Sequence, residues 1–192
     1  MLMRRLAALA MAGVLALVLL AGCGQKPAEQ GSSSSQSAQA EAFYSFTDDS
    51  GREVSLESQP ERVVALMGSY AETWMLAGGV PVGVTEDVIS ERGLTVGEET
   101  KVIGTVKGPS TEEILNLDPD FILLSTDVAE HVELDGMLTQ AGIPHAYFKV
   151  ENFEDYLNML KICTDLTGRA DLYEENGIAV QAQIDAILEK LQ

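Results

Sequence analysis

Pro60-Glu61-Arg62-Val63-Val64-Ala65-Leu66-Met67-Gly68-Ser69-Tyr70-Ala71-Glu72 passes from a run of apolar residues, through a glycine-containing turn, into a segment of helical character. A short apolar run containing β-branched valines and followed by a turn predicts a strand buried on both faces. The helix that follows is predicted over Ser69 to Ala77, and Gly78-Gly79 ends it, because glycine accepts the left-handed backbone of a helix terminus. A buried strand leading directly into a helix is the repeating unit of parallel α/β sheets.

The alternation continues downstream. Apolar runs at Val80 to Val84, Val102 to Ile103, Phe121 to Leu124 and His145 to Val150 predict further strands, separated by helical segments or loops. Ser110, with Glu113 three residues on, predicts a capped helix start, and that helix closes before Pro119. Val128 to Ala141 ends at Gly142, and Asn152 to Thr167 ends at Gly168. Upstream, Phe43 to Thr47 and Arg52 to Leu56 flank Asp48-Asp49-Ser50-Gly51, a hairpin signal. Ala170 to Gln192 predicts a final helix of ~35 Å, with Val180, Ile184, Ile187 and Leu191 on one face and a weakening glycine at Gly177. No strand follows it, so it is expected to lead away from the sheet. The expected fold is α/β: a single Rossmann-like lobe with a mostly parallel sheet flanked by helices, preceded by a hairpin and ending in a long helix.

The amino end reads differently. Arg4 and Arg5 precede an uncharged stretch from Leu6 to Gly22, the layout of an export signal. Its ending, Leu20-Ala21-Gly22-Cys23, resembles the lipobox of bacterial lipoproteins, which implies cleavage after residue 22 and a diacylglyceryl group on Cys23. Two acyl chains suffice for stable anchoring where one does not. The serine-, glutamine- and alanine-rich stretch up to Ala42 cannot bury a core, and as a flexible tether of this length it would reach roughly 20 to 25 Å. The expected divisions are a signal peptide at 1–22, an anchored linker at 23–42, a folded lobe at 43–168 and the start of a further helix at 169–192. The expected location is outside the cytoplasm, on the outer face of the membrane or in the periplasm.

Composition narrows the function. The formal charge of −18 falls to about −20 once the signal's arginines are gone, and lysines and arginines are scattered, so nucleic acid is not an expected partner. With Cys23 lipidated, Cys163 has no partner for an intramolecular disulfide, and its helical spacing from Phe153, Tyr156, Leu160 and Leu166 predicts a core position. His131 and His145 are too few for a site of several imidazoles and are expected to be structural. Gly68-Ser69 lacks the glycine two residues past a nucleophile-elbow serine, and neither a Walker loop nor a Gly-x-Gly-x-x-Gly motif occurs. An enzyme is not expected.

The ordered set of segments resembles the amino-terminal lobe of ABC-transporter substrate-binding proteins of the helical-backbone class, which serve iron-siderophores, haem and cobalamin. The resemblance rests on Asp49-Ser50-Gly51-Arg52-Glu53-Val54, the 60–72 stretch, and Gly78-Gly79-Val80-Pro81-Val82-Gly83-Val84. Val102-Ile103-Gly104, Thr111 to Asp120, and Ala141-Gly142-Ile143-Pro144 complete it. It implies two lobes joined by one long helix, with the solute in the cleft between them. The second lobe has no counterpart in these residues. No resident cofactor or protein-bound metal is implied. The implied partners are a small-molecule metal chelate, the membrane through the lipid anchor, and an ABC permease.

Independently, ligands of open parallel sheets bind beyond the carboxyl ends of the strands. Met67, Gly68, Ser69 and Tyr70 lie at one such end and are expected ligand contacts, Gly68 by close backbone approach, Ser69 by its hydroxyl and Tyr70 by its ring. A helix cap for Ser69 and a core position for Tyr70 are the alternatives. Lys107 and Lys149 are candidates for anionic groups of a chelate. The resemblance further implies that Glu112 docks onto a permease arginine, with Glu113 able to share that role. The other function class open to the sequence is a lipid-anchored single-lobe interaction domain without a small-molecule ligand.

Overall fold

Strand β1 (Tyr44–Thr47) pairs antiparallel with β2 (Glu53–Leu56) in the computed structural model, which describes residues 42–191. The export signal, Cys23 and nearly all of the linker lie outside the described residues. After the hairpin come β3 (Val63–Ala65), helix α1 (Gly68–Leu76), β4 (Gly83–Val84), α2 (Asp87–Ser90) and β5 (Lys101–Val102). A small antiparallel hairpin, β6 (Gly104–Thr105) and β7 (Gly108–Pro109), leads into α3 (Thr111–Asn116). Then follow β8 (Phe121–Ser125), α4 (Ala129–Glu133), α5 (Asp135–Ala141), β9 (His145–Phe148) and α6 (Phe153–Thr167). The chain continues through α7 (Ala170–Tyr173), a π-helical turn over Glu174–Ile178, and α8 (Ala179–Glu189). No helix among the described residues is long and apolar enough to cross a membrane.

The central sheet is parallel throughout, in the order β5-β4-β3-β8-β9. Its continuous apolarity follows from burial on both faces. Alternate residues Val63, Ala65, Phe121, Leu123, Ala146 and Phe148 pack on one side with Tyr70, Trp74, Met159 and Leu160. Val64, Leu66, Ile122, Leu124 and Tyr147 pack on the other with Ile114, Leu117 and Leu138. A period of two thus feeds two cores. Each fully buried Leu, Ile or Phe contributes about 1.5–3 kcal/mol. Cys163 lies fully in the first core, where burial pushes its thiol up to about 12.

Strand β9 is an edge, and the hairpin turn covers it. Asp49 donates its N–H to the Tyr147 carbonyl at 2.9 Å, and Asp48 Oδ2 accepts from Tyr147 N–H at 3.1 Å. An exposed row of strand donors and acceptors is thereby satisfied. Asp48 Oδ1 also accepts from Ser50 and from the Arg52 N–H, each contact favouring the ionised form.

Several helix ends match their sequence signals. Ser110 Oγ accepts from Glu113 N–H at 3.3 Å, Asn152 forms a capping box with Asp155, and Gly142 and Gly168 have left-handed backbone. Other expectations are corrected. The strand expected over Val80 to Val84 contracts to two residues, because Pro81 has no N–H for a ladder and Val80 is exposed. The helix expected from Val128 to Ala141 is two helices meeting at Leu134, whose N–H returns to the His131 carbonyl at 3.1 Å. The two halves answer to different partners: His131 is tied to β8, and Asp135 accepts from Arg52 at 2.8 Å. The terminal helix carries a π turn around Gly177, where a Cβ would stand 3.0 Å from Leu157 and 3.2 Å from Leu160. Close approach to α6, more than lost helix propensity, accounts for glycine there. Helix α2 and the β6–β7 hairpin were not expected; Val106 and Lys107 make the hairpin's turn, and Gly104, in β6 at φ 115°, allows the close approach of the Gly108 carbonyl.

Candidate functional site

In chain order the sheet strands run 3-2-1-4-5, so successive connections leave β3 toward one edge and later reach β8 on its other side. That reversal makes the carboxyl ends of β3 and β8 the switch point of the sheet, the position where doubly wound sheets bind ligands. Met67 to Ser69 border it from β3, and Ser125 to Asp127 from β8.

The β3 side is built on Asp87. Met67 is the residue before α1 and offers no side-chain acceptor to the first turn. Asp87 Oδ2 instead accepts from Gly68 N–H at 2.7 Å, while Oδ1 accepts from the Thr85 hydroxyl at 2.6 Å. The carboxylate is buried, so it neutralises the helix amino end where solvent does not. A Cβ on Gly68 would stand 2.8 Å from that Oδ2 and 2.8 Å from Val88 N. Gly68 therefore makes room for the chain's own carboxylate, which is a reason for glycine there apart from any ligand. Ser69 is inside the helix and half-buried, so it is not the cap. Tyr70 is only 3% exposed, with its hydroxyl donating to the Phe148 carbonyl at 2.8 Å and its ring edge-on to Phe148. Burial pushes its phenol up to about 12 against the opposing hydrogen bond with Ser125, so the hydroxyl stays protonated. Of the two alternatives for Tyr70, its ring occupies the core and leaves only a margin toward the surface.

The β8 side is held by His131. Its Nδ1 accepts from Ser125 N–H at 3.1 Å, so Nε2 carries the proton and donates to the Val106 carbonyl at 2.9 Å. Tyr147 donates its hydroxyl to the His131 carbonyl at 3.1 Å. Burial lowers the imidazole's pKa below its usual 6.5 and keeps it neutral. His145 is also buried: its ring contacts the Ile143 carbonyl at 2.8 Å and Arg52 at 2.9 Å. The first histidine pins the β6–β7 hairpin to the sheet; the second pins the β1–β2 hairpin. No group of three or more His, Cys, Asp or Glu among the described residues is placed to hold a metal ion.

The candidate lysines stand apart. Lys107 is exposed on the β6–β7 turn, beside a cavity of about 300 Å³ whose wall includes Glu86, Asp87 and Glu91. Lys149 lies 3.3 Å from Glu151 and 3.8 Å from Asp127, and the Glu151 hydrogen bond raises its pKa. Glu112 is exposed and Glu113 half-buried on the first turn of α3, on the sheet face opposite α1 and α6. A second cavity, of about 280 Å³, runs beside α1 and is lined by Ser69, Tyr70, Thr73, Arg92, Val150 and Tyr156 among others. Arg92 pairs there with Glu72. Neither Asp87 nor Arg92 was a candidate from sequence. Ser69 stood where a cap was expected, so the need of α1 for a distant acceptor such as Asp87 shows only in the fold, and nothing local marked Arg92.

A parallel sheet of this order suits a protein that holds a ligand at its carboxyl edge. Residues 63–192 match the family model described as periplasmic binding protein, and the chain belongs to that family. Its family members are binding proteins. The uncharacterized ABC transporter substrate-binding lipoprotein YvrC of Bacillus subtilis (strain 168) is 32% identical over 147 residues, covering 73% of this chain and 44% of that one. Petrobactin-binding protein YclQ from Bacillus subtilis superposes with a TM-score of 0.62 at 17% identity, over 78% of this chain and 54% of that one. The periplasmic catecholate-siderophore binding protein VctP from Vibrio cholerae gives 0.62 at 18% identity, over 77% and 53%. These two structural likenesses are of fold. The chain spans about half the length of these relatives.

Proposed function

We propose that this chain is the amino-terminal lobe of the solute-binding component of an ABC importer, which captures a metal chelate of the iron-siderophore, haem or cobalamin type outside the membrane and delivers it to a permease. The observation that carries the reading is the family match combined with a strand order that puts its switch point at the carboxyl ends of β3 and β8. Ser69, Lys107 and Lys149 would serve as polar contacts of the solute, with Met67, Gly68 and Tyr70 beside Ser69. A diacylglyceryl group on Cys23 and the linker after it would hold the lobe within reach of the permease, and Glu112, assisted by Glu113, would dock it there. The work is capture, closure and hand-over, without covalent chemistry.

Thermal unfolding of the full-length gene product in the presence of haem, ferric siderophores and cobalamin tests this. A ligand at one hundred times its Kd stabilises the folded state by about 2.7 kcal/mol, which is readily seen as a raised Tm. A shift with one of these chelates supports the assignment. No shift with any of them rejects it in favour of a lipid-anchored protein-interaction domain.

A further inference from the structure

Three basic side chains stand on the carboxyl rim, and the charge around them differs. Lys149 lies between Glu151 and Asp127. Lys107 borders a cavity whose wall carries Glu86, Asp87 and Glu91. Arg92 faces a single carboxylate, Glu72, in the cavity beside α1. An oxyanion approaching either lysine therefore meets more negative than positive charge, whereas at Arg92 the charges balance and one acceptor has to be displaced. That acceptor is held weakly. Side-chain exposures of 42% for Arg92 and 30% for Glu72 leave the pair open to solvent, where ion pairs contribute little.

The cavity also fits such a group sterically. Leu76, Val150, Tyr70 and Tyr156 contribute apolar wall, and Ser69 is among the polar residues that line it. About 280 Å³ is room for one arm of a chelate. A guanidinium presents a planar fork suited to paired oxygens, which an ammonium does not.

We infer that Arg92 selects the solute: it receives an oxyanion-bearing arm of the metal chelate, carboxylate or catecholate, and Glu72 is the resident acceptor that the arm replaces. This rests on the solute-binding reading above. It predicts that anionic chelates are preferred to neutral ones, on an otherwise acidic rim.

The test titrates the full-length gene product and its Arg92→Gln and Glu72→Gln variants with ferric citrate, a ferric tricatecholate, haem and a neutral ferric trihydroxamate, followed by quenching of tryptophan fluorescence. Arg92→Gln is expected to weaken binding of the preferred anionic complex by about tenfold or more, leaving any trihydroxamate binding unchanged. Glu72→Gln is expected to tighten the same complex, a gain that misfolding does not imitate. Which anionic complex responds identifies the arm. Equal affinities across the three proteins, or a wild type that binds only the trihydroxamate, overturns the role of Arg92 while solute binding stands. A wild type that binds none of the four refutes both.

Discussion

Replacing Asp87 by alanine removes the acceptor on which two segments of the carboxyl rim converge. The carboxylate takes Gly68 N–H at 2.7 Å and the Thr85 hydroxyl at 2.6 Å, both in buried surroundings. Hydrogen bonds to a charged group contribute about 1.5–3 kcal/mol each. Because both end on one carboxylate their losses overlap, and the expected destabilisation is about 3 kcal/mol. For a domain of this size that lowers the Tm by roughly 6–12 °C. The measurement is a urea or thermal unfolding curve of the full-length gene product, with Asp87→Asn alongside. Asparagine keeps one oxygen for Gly68 without the charge, so about half of the loss should be recovered. A loss below about 1 kcal/mol for Asp87→Ala, the range of an exposed contact, would refute the claim that this carboxylate organises the rim.

Acid should loosen the fold in two windows. The folded-state pKa of His131 lies below 6.5, so its contribution is fully present above pH 6.5 and is lost as pH falls below that value; Asp48, lowered below 3.8, contributes above that pH and stops doing so as pH drops through its folded value. Urea midpoints of His131→Gln should show a flatter decline just below pH 6.5 than wild type, and parallel curves would contradict this. Gly79→Ala places a Cβ 2.2 Å from the Trp74 ring and should cost about 2 kcal/mol with an altered emission from this single tryptophan; unchanged emission and stability would oppose the packing described. Cys163, its thiol pushed to about 12 by burial, should resist alkylation in the native protein and react once urea unfolds it. Reversing the charge at Glu112 should impair uptake while chelate affinity stays constant; unaltered uptake rules out its docking role.

Local physics made much of this lobe legible in the sequence. The apolar runs at Val63 and Phe121 identified buried strands because both faces of a parallel sheet need apolar residues. Ser110 and Asn152, and the glycines at 142 and 168, marked helix ends because capping chemistry acts within a few residues. The break at Leu134 and the π turn at Gly177 were illegible, since each answers to partners far along the chain: Arg52 for Asp135, and α6 for Gly177.

The candidate site divides in the same way. By itself the sequence determined the α/β class, the strand ends where a solute would sit, and the resemblance carried by segments in fixed order, because periodicity, caps and turns are properties of neighbouring residues. Only the tertiary structure decided which rim residues are available. It filled the space at Gly68 with Asp87, sank Tyr70 into the core, set Lys149 between two carboxylates and paired Arg92 with Glu72. Those outcomes depend on distances between side chains brought together by the parallel crossovers, which no local pattern encodes.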